Sequence, residues 1–280
     1  MTTSNRVEAT RKTARLTRAV RPHNMRELST EHARTELSLM GFTVTDIDAV
    51  PNEKRADLLA SFEEEEYVIE AKLREPHSKW KSLIKDVSKN GTSNISRDVK
   101  PWNALSSTIE EAYLQLLATP ASPKAFRLLW IVAPHNDSKF VIECLQIRLL
   151  GTANLSINNG FDCQPSIKKC YHYFSNDFER SPQLDAVVIG DKKSGQLLVN
   201  CYSKNKASFR ASKLYTFLDK SNAVIDPETR SRDGSYLIIS PEFNGIRDGK
   251  SQWQYLKDKY GIQTSLMYGS YFNGLVDIQL

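Results

Sequence analysis

Cysteine is scarce in this 280-residue chain: there are four, at positions 144, 163, 170 and 201. No pair has the C-x-x-C spacing of a zinc or redox centre, so neither a structural metal nor a disulfide framework is expected, and reduced thiols in a cytoplasm fit this usage. Cys170 and His172 share a strand face, but two ligands do not make a metal site. Long apolar runs are also missing. None approaches the roughly 20 residues needed to cross a bilayer, and the N-terminus lacks the apolar centre of a secretion signal, so no membrane partner is expected. There is no Gly-x-Ser-x-Gly elbow, and His23, His32, His77, His135 and His172 fall in no motif, which leaves nucleophilic hydrolase chemistry without support. Gly245-Ile246-Arg247-Asp248-Gly249-Lys250-Ser251 looks like a phosphate-cradling loop but is one glycine short, because position 244 is Asn244. That substitution spoils the nest of backbone N–H groups such a loop needs.

What is present is a globular composition, 40% hydrophobic and 25% charged, enough to bury a core in one large or two modest domains. The charge is unevenly placed. Residues 1–22 carry Arg6, Arg11, Lys12, Arg15, Arg18 and Arg21 against Glu8, six minus one, which equals the net charge of +5 of the whole chain. The excess positive charge is therefore one N-terminal arm, with Arg11, Arg15 and Arg18 spaced to track phosphates if the arm is helical. A solubilising tail or an organelle transit peptide would have similar composition.

The richest segment runs from Arg55 to Lys72. A short apolar run, Ala56-Asp57-Leu58-Leu59-Ala60, carries one carboxylate that would be costly to desolvate without a cationic partner. After an acidic stretch, Glu63-Glu64-Glu65-Glu66, expected to be a solvated turn, comes Tyr67-Val68-Ile69-Glu70-Ala71-Lys72. The two-residue repeat of a strand sends Glu70 and Lys72 to one face and Ile69 and Ala71 to the other. Two carboxylates, a backbone carbonyl and water make the hard, oxygen-rich set that magnesium prefers, or manganese in its place. Lys72 would then stand beside the attacking water. Such a set suffices for phosphodiester cleavage. An ordinary hairpin with a cross-strand salt bridge would read the same way in isolation.

The surroundings of these residues resemble the PD-(D/E)XK nuclease superfamily, the restriction-endonuclease-like fold. A helix is expected from Leu28 to Met40, ending at Gly41, and a strand at Phe42-Thr43-Val44. The Asp57 and Glu70 strands follow, and then Pro101-Trp102-Asn103 and a helix with Ile109, Tyr113, Leu116 and Leu117 on one apolar face. Phe126 to Ala133 is a fourth, almost wholly apolar strand, ending at Pro134. Ala56 stands where the family pattern has proline. The resemblance covers about residues 28–134 and implies a mixed α/β sheet flanked by helices, with Asp57 and Glu70 binding magnesium, the Ala71 carbonyl completing the coordination and Lys72 aiding the water. It also implies a glutamate on the first helix. Glu31 is ranked first by position, with Glu27 and Glu36 as competitors. The activity implied is hydrolysis of DNA, double-stranded by preference, by a dimer or with a partner protein, in restriction or anti-phage defence. A catalytically inactive nucleic-acid-binding or regulatory module is the alternative.

A second basic stretch, with Lys79, Lys81, Lys85, Lys89, Arg97 and Lys100, follows the Glu-x-Lys strand. It is expected to grip a nucleic-acid backbone, with Trp80 as a stacking residue. Within it, Asn90-Gly91-Thr92-Ser93-Asn94 reads as a turn. The expected organisation is a basic arm (1–22), a nuclease-like core (23–150) and a strand-rich region of unknown role (151–280). In that region strands are expected at Lys169–Phe174, Leu184–Ile189, Gln196–Tyr202 and Tyr236–Ile239, with Asp191-Lys192-Lys193-Ser194-Gly195 as a hairpin turn. Asp185 and Asn200-Cys201-Tyr202 loosely echo Asp57 and the Glu-x-Lys, without the carboxylate or the lysine.

Overall fold

A computed structural model describes residues 22–75, 92–98, 103–135, 137–158, 166–191, 193–243, 248–262, 264–268 and 271–277. A central sheet of seven strands has the order β1-β2-β3-β5-β8-β9-β10. Its first part is antiparallel: β1 (Thr43–Asp46), β2 (Leu58–Phe62) and β3 (Glu65–Leu73). The middle is parallel, with β3 beside β5 (Phe126–Val132) and β5 beside β8 (Ala186–Gly190). β8 is a continuous apolar run, and β5 is one apart from Arg127 near its start, as central strands buried on both faces require. β8 turns back into β9 (Gly195–Val199), and β10 (Val224–Ile225) closes the far edge. At the β8–β9 turn, Asp191 Oδ1 accepts hydrogen bonds from the backbone N–H groups of Lys193 (2.7 Å) and Ser194 (3.0 Å), the local closure that makes aspartate a turn residue.

Helices cover both faces. α1 (Pro22–Leu39) buries Ala33 and Leu37 against one face, together with Phe209 of the short α5 (Lys206–Arg210) and Leu214 of α6 (Lys213–Lys220). The opposite face is covered by α2 (Asn103–Ala118) and α3 (Ser138–Leu150), through Leu105, Ile109, Leu116, Val141, Leu145 and Leu149. α2 and α3 carry the crossovers that parallel strands require. α3 ends at Gly151, at φ 57, where a Cβ would stand 2.1 Å from the Phe174 carbonyl oxygen, so glycine is needed for both conformation and space.

A second sheet has the order β11-β7-β6-β12, from β6 (Ala153–Asn158), β7 (Ser166–Tyr171), β11 (Leu237–Ile238) and β12 (Thr264–Tyr268). Its own core joins Leu155, Ile157, Leu237 and Ile239 to Leu256 of α8 (Gly249–Tyr260). Two one-turn helices, α4 (Asp177–Arg180) and α7 (Pro227–Arg230), complete the fold. The last strand, β13 (Tyr271–Asp277), pairs antiparallel with β4 (Thr92–Asp98), which lies in the connection after the Glu-x-Lys strand.

Several boundaries differ from those expected. The division at residue 150 is not a break in the fold, because β8, β9 and β10 complete the sheet that β1, β2, β3 and β5 begin. The expected turn at 90–94 gives way to β4 from Thr92. Glu65 and Glu66 belong to β3 rather than to a solvated turn, and the Glu65 carboxylate accepts the Lys213 N–H at the start of α6 (2.9 Å). β7 stops at Tyr171 because His172 takes a positive φ of 56°. None of the described helices is long and apolar enough to cross a membrane.

Candidate active site

Leu58 pairs with Ile69 at the end of the β2–β3 ladder. Continuing that register by one step sets Asp57 across from Glu70. Leu59 and Val68, two residues away on each strand, pack into the core beneath α2 and α3, so strand alternation turns Asp57, Glu70 and Lys72 to that same face. Asp57 is 8% exposed and Glu70 fully buried. Charges this deep are expensive unless paired, and the pairing is present: Lys72 Nζ lies 2.7 Å from Glu70 Oε1. Asp57 Oδ2 accepts the Ala71 N–H at 2.9 Å. In an extended strand the N–H and C=O of one residue leave by the same edge. The Ala71 carbonyl therefore also faces the side where β2 has ended, next to Asp57.

Asp57, Ala71 and Lys72 line a cavity of about 670 Å³ at the carboxyl end of β3, the end of a parallel strand where α/β sheets place their sites. One wall is the beginning of α1, with Glu27, Ser29 and Thr30; the other is α2, with Glu111 and Gln115. Asp46, Glu53, Lys54, Arg55, Asp57, Ala71 and Lys72 also line it. Glu27, Asp46, Glu53, Asp57 and Glu111 give five carboxylates against the three cations Lys54, Arg55 and Lys72. This excess of negative charge attracts a cation rather than a bare phosphate. Glu111 is held below the usual carboxylate range, first by its hydrogen bond from Lys54 (3.1 Å) and then by the charge of Lys72.

A hard divalent cation takes oxygen ligands, the donor type that Asp57, Glu70 and the Ala71 carbonyl present here. Among the described residues no three His, Cys, Asp or Glu side chains converge as a ready-made cage. A cation here would thus rest on two carboxylates, one carbonyl and water, and Glu70 would reach it only by sharing or releasing Lys72.

No family model, no curated protein and no solved structure matches this chain.

The structure brings Asp57, Glu70, Ala71 and Lys72 together. It does not bring Glu31 with them: that side chain is 69% exposed, its Oε2 3.6 Å from Arg34 Nε. Glu27, one helical turn earlier, lines the cavity instead. Arg11, Arg15 and Arg18, and likewise Lys79, Trp80, Lys81 and Lys85, lie outside the described residues.

Two residues that the sequence reading passed over complete the site. Gln115 Oε1 accepts from Lys72 Nζ (2.8 Å), and its Nε2 donates to the Arg55 carbonyl (3.3 Å). Thr119 Oγ1 accepts the Ala56 N–H (2.7 Å) and donates to the Gln115 carbonyl (2.8 Å). The available signal was the stripe Leu105, Ile109, Ala112 and Leu116, which puts position 115 at its buried margin. The second hairpin follows the register of the first, since Ala186 pairs with Val199 and one further step sets Asp185 across from Asn200. There, Asn200 donates to the carbonyls of Ser181 (3.0 Å) and Leu184 (2.6 Å), which is a structural task.

Proposed function

We propose that this chain is a divalent-cation-dependent nuclease of the PD-(D/E)XK type that hydrolyses DNA phosphodiester bonds. The observation that carries the reading is the convergence of Asp57, Glu70 and Lys72 on one sheet face at the carboxyl end of β3, beside an acid-lined cavity. Asp57, fixed by the Ala71 N–H, and Glu70 are the residues that would hold magnesium or manganese, with the Ala71 carbonyl as a third donor. A bound cation would polarise the scissile phosphate and acidify the attacking water. Lys72 supplies a fixed positive charge and a donor to orient that water or to offset charge developing on the phosphate. Held between Glu70 and Gln115, it needs little reorganisation to do so. The +5 arm supplies cations for phosphates flanking the cleavage point. Double-stranded cleavage would call for two such sites, and hence a dimer or a partner protein.

One observation favours a second reading, a nuclease-like module that binds nucleic acid without cutting it. Glu70 is not among the residues lining the cavity, and its Oε1 is already ion-paired with Lys72. The two readings part on one assay. Full-length protein with magnesium and plasmid DNA is expected to give 5′-phosphate ends, while Asp57→Asn, Glu70→Gln and Lys72→Gln lose roughly hundredfold or more in rate with folding intact. DNA binding with no magnesium-dependent cleavage in the wild type would establish the inert module.

A further inference from the structure

We propose that Gln115 is a positioning residue that aims the Lys72 ammonium into the cavity. The inference rests on the reading of Asp57, Glu70 and Lys72 as the catalytic group. Gln115 is only 6% exposed on the sheet-facing side of α2, among residues otherwise chosen for apolar packing. A glutamine there carries four hydrogen-bonding requirements that a leucine would not. Its two ends are not interchangeable. The Arg55 carbonyl takes the amide N–H, so the amide oxygen must face the other way, towards Lys72, and an ammonium, having only donors, can accept no other orientation.

The consequence lies in the tetrahedral ammonium. Glu70 Oε1 at 2.7 Å and Gln115 Oε1 at 2.8 Å fix two of the three N–H directions. With two vertices pinned, the third N–H has one direction left, and Lys72 itself lines the cavity. Without Gln115 the ammonium would pivot about Glu70 alone, on a four-carbon stem with ample rotamer freedom. Gln115 also ties both motif segments to one helix, since Arg55 lies two residues before Asp57 and Lys72 two after Glu70. An ordinary structural role would be filled equally well by the bond of Thr119, just past the end of α2, to Ala56.

The test uses the full chain with Gln115→Leu, the more permissive Gln115→Met, and Thr119→Val as a control that loosens the same helix without touching Lys72. Two quantities are read: kcat and KM for plasmid cleavage with magnesium, and the rate at which a water-soluble acylating reagent labels Lys72 compared with Lys54 on the same wall, followed by mass spectrometry. Both Gln115 variants are expected to lower kcat roughly tenfold or more with KM little changed, since a lost bond to a charged group is of that size. They are also expected to speed labelling of Lys72 several-fold but not of Lys54, while Thr119→Val leaves the Lys72-to-Lys54 ratio unchanged. An unchanged ratio in the Gln115 variants, or the same rise in Thr119→Val, overturns the proposal. A wild type that does not cleave sinks the nuclease reading, and the labelling ratio still decides whether Gln115 holds Lys72.

Discussion

At the scale of single residues, the site stores an asymmetry between Glu70 and Lys72. Glu70 is fully buried, whereas the Lys72 side chain keeps 22% of its surface. Removing the lysine by Lys72→Met takes its ion pair from a buried carboxylate and is expected to cost about 3–5 kcal/mol. Pairing it with Glu70→Gln removes the buried charge, and the double variant is expected to recover most of that loss in denaturant unfolding. Asp185 offers the matching experiment away from the site. Burial raises its carboxyl above the usual range, against hydrogen bonds from Ser203 and the Arg127 N–H (2.8 Å) that pull the other way. A raised folded-state value means that the contribution to stability is complete below the unfolded value of about 3.9 and is lost as pH rises through the folded one. Asp185→Asn keeps an acceptor for Arg127 and gains a donor for Ser203. It is expected to be at least as stable as the wild type at pH 7, with an advantage that shrinks as the pH falls towards 4. An advantage that instead grows on acidification would show that the carboxylate is a net stabiliser.

Among the elements, α2 does most to shape the site, because one short stretch of it ties down both motif segments. Thr119→Val leaves the buried Ala56 N–H without its acceptor and is expected to cost about 1–3 kcal/mol, measurable as a lower denaturant midpoint. The same helix shows where sequence periodicity reads well and where it fails. Ile109 and Leu116 are buried as expected, but Leu117 is 38% exposed and Tyr113 only partly buried, while Gln115 turns inward. A pattern of hydrophobicity cannot reveal an amide that is buried for the sake of a lysine 43 residues away in sequence. The β2–β3 hairpin was legible because the period of two fixes which side chains share a face, whatever the packing around it. The choice of Glu31 over Glu27 failed for a related reason: counting back from Gly41 gives the helix face, but the height along the helix depends on where the sheet ends. β9 stops at Val199, short of Tyr202, because Asn200 turns its side chain to the carbonyls of Ser181 and Leu184.

For the whole molecule, the continuity of the seven-stranded sheet across residue 150 was hidden from sequence, since pairing between β5 and β8 joins residues about 60 apart with a complete sheet pair, β6 and β7, inserted between them. The charge distribution was legible from the start and gives the molecular-scale expectation. Each phosphate contact contributes about 0.9 to the slope of log affinity against log salt. Deleting residues 1–21 is expected to flatten that slope by several units for DNA binding while leaving in place the magnesium-dependent chemistry proposed for Asp57 and Glu70. An unaltered slope would remove the arm from the interface. Whether Asp57, Glu70 and the Ala71 carbonyl form the proposed cation site beside Lys72 can be read from anomalous diffraction by crystals soaked in manganese. A peak is expected within about 2.5 Å of oxygens from both carboxylates, absent in Asp57→Asn. Full soaking with no peak there, or a peak that touches neither carboxylate, would contradict it.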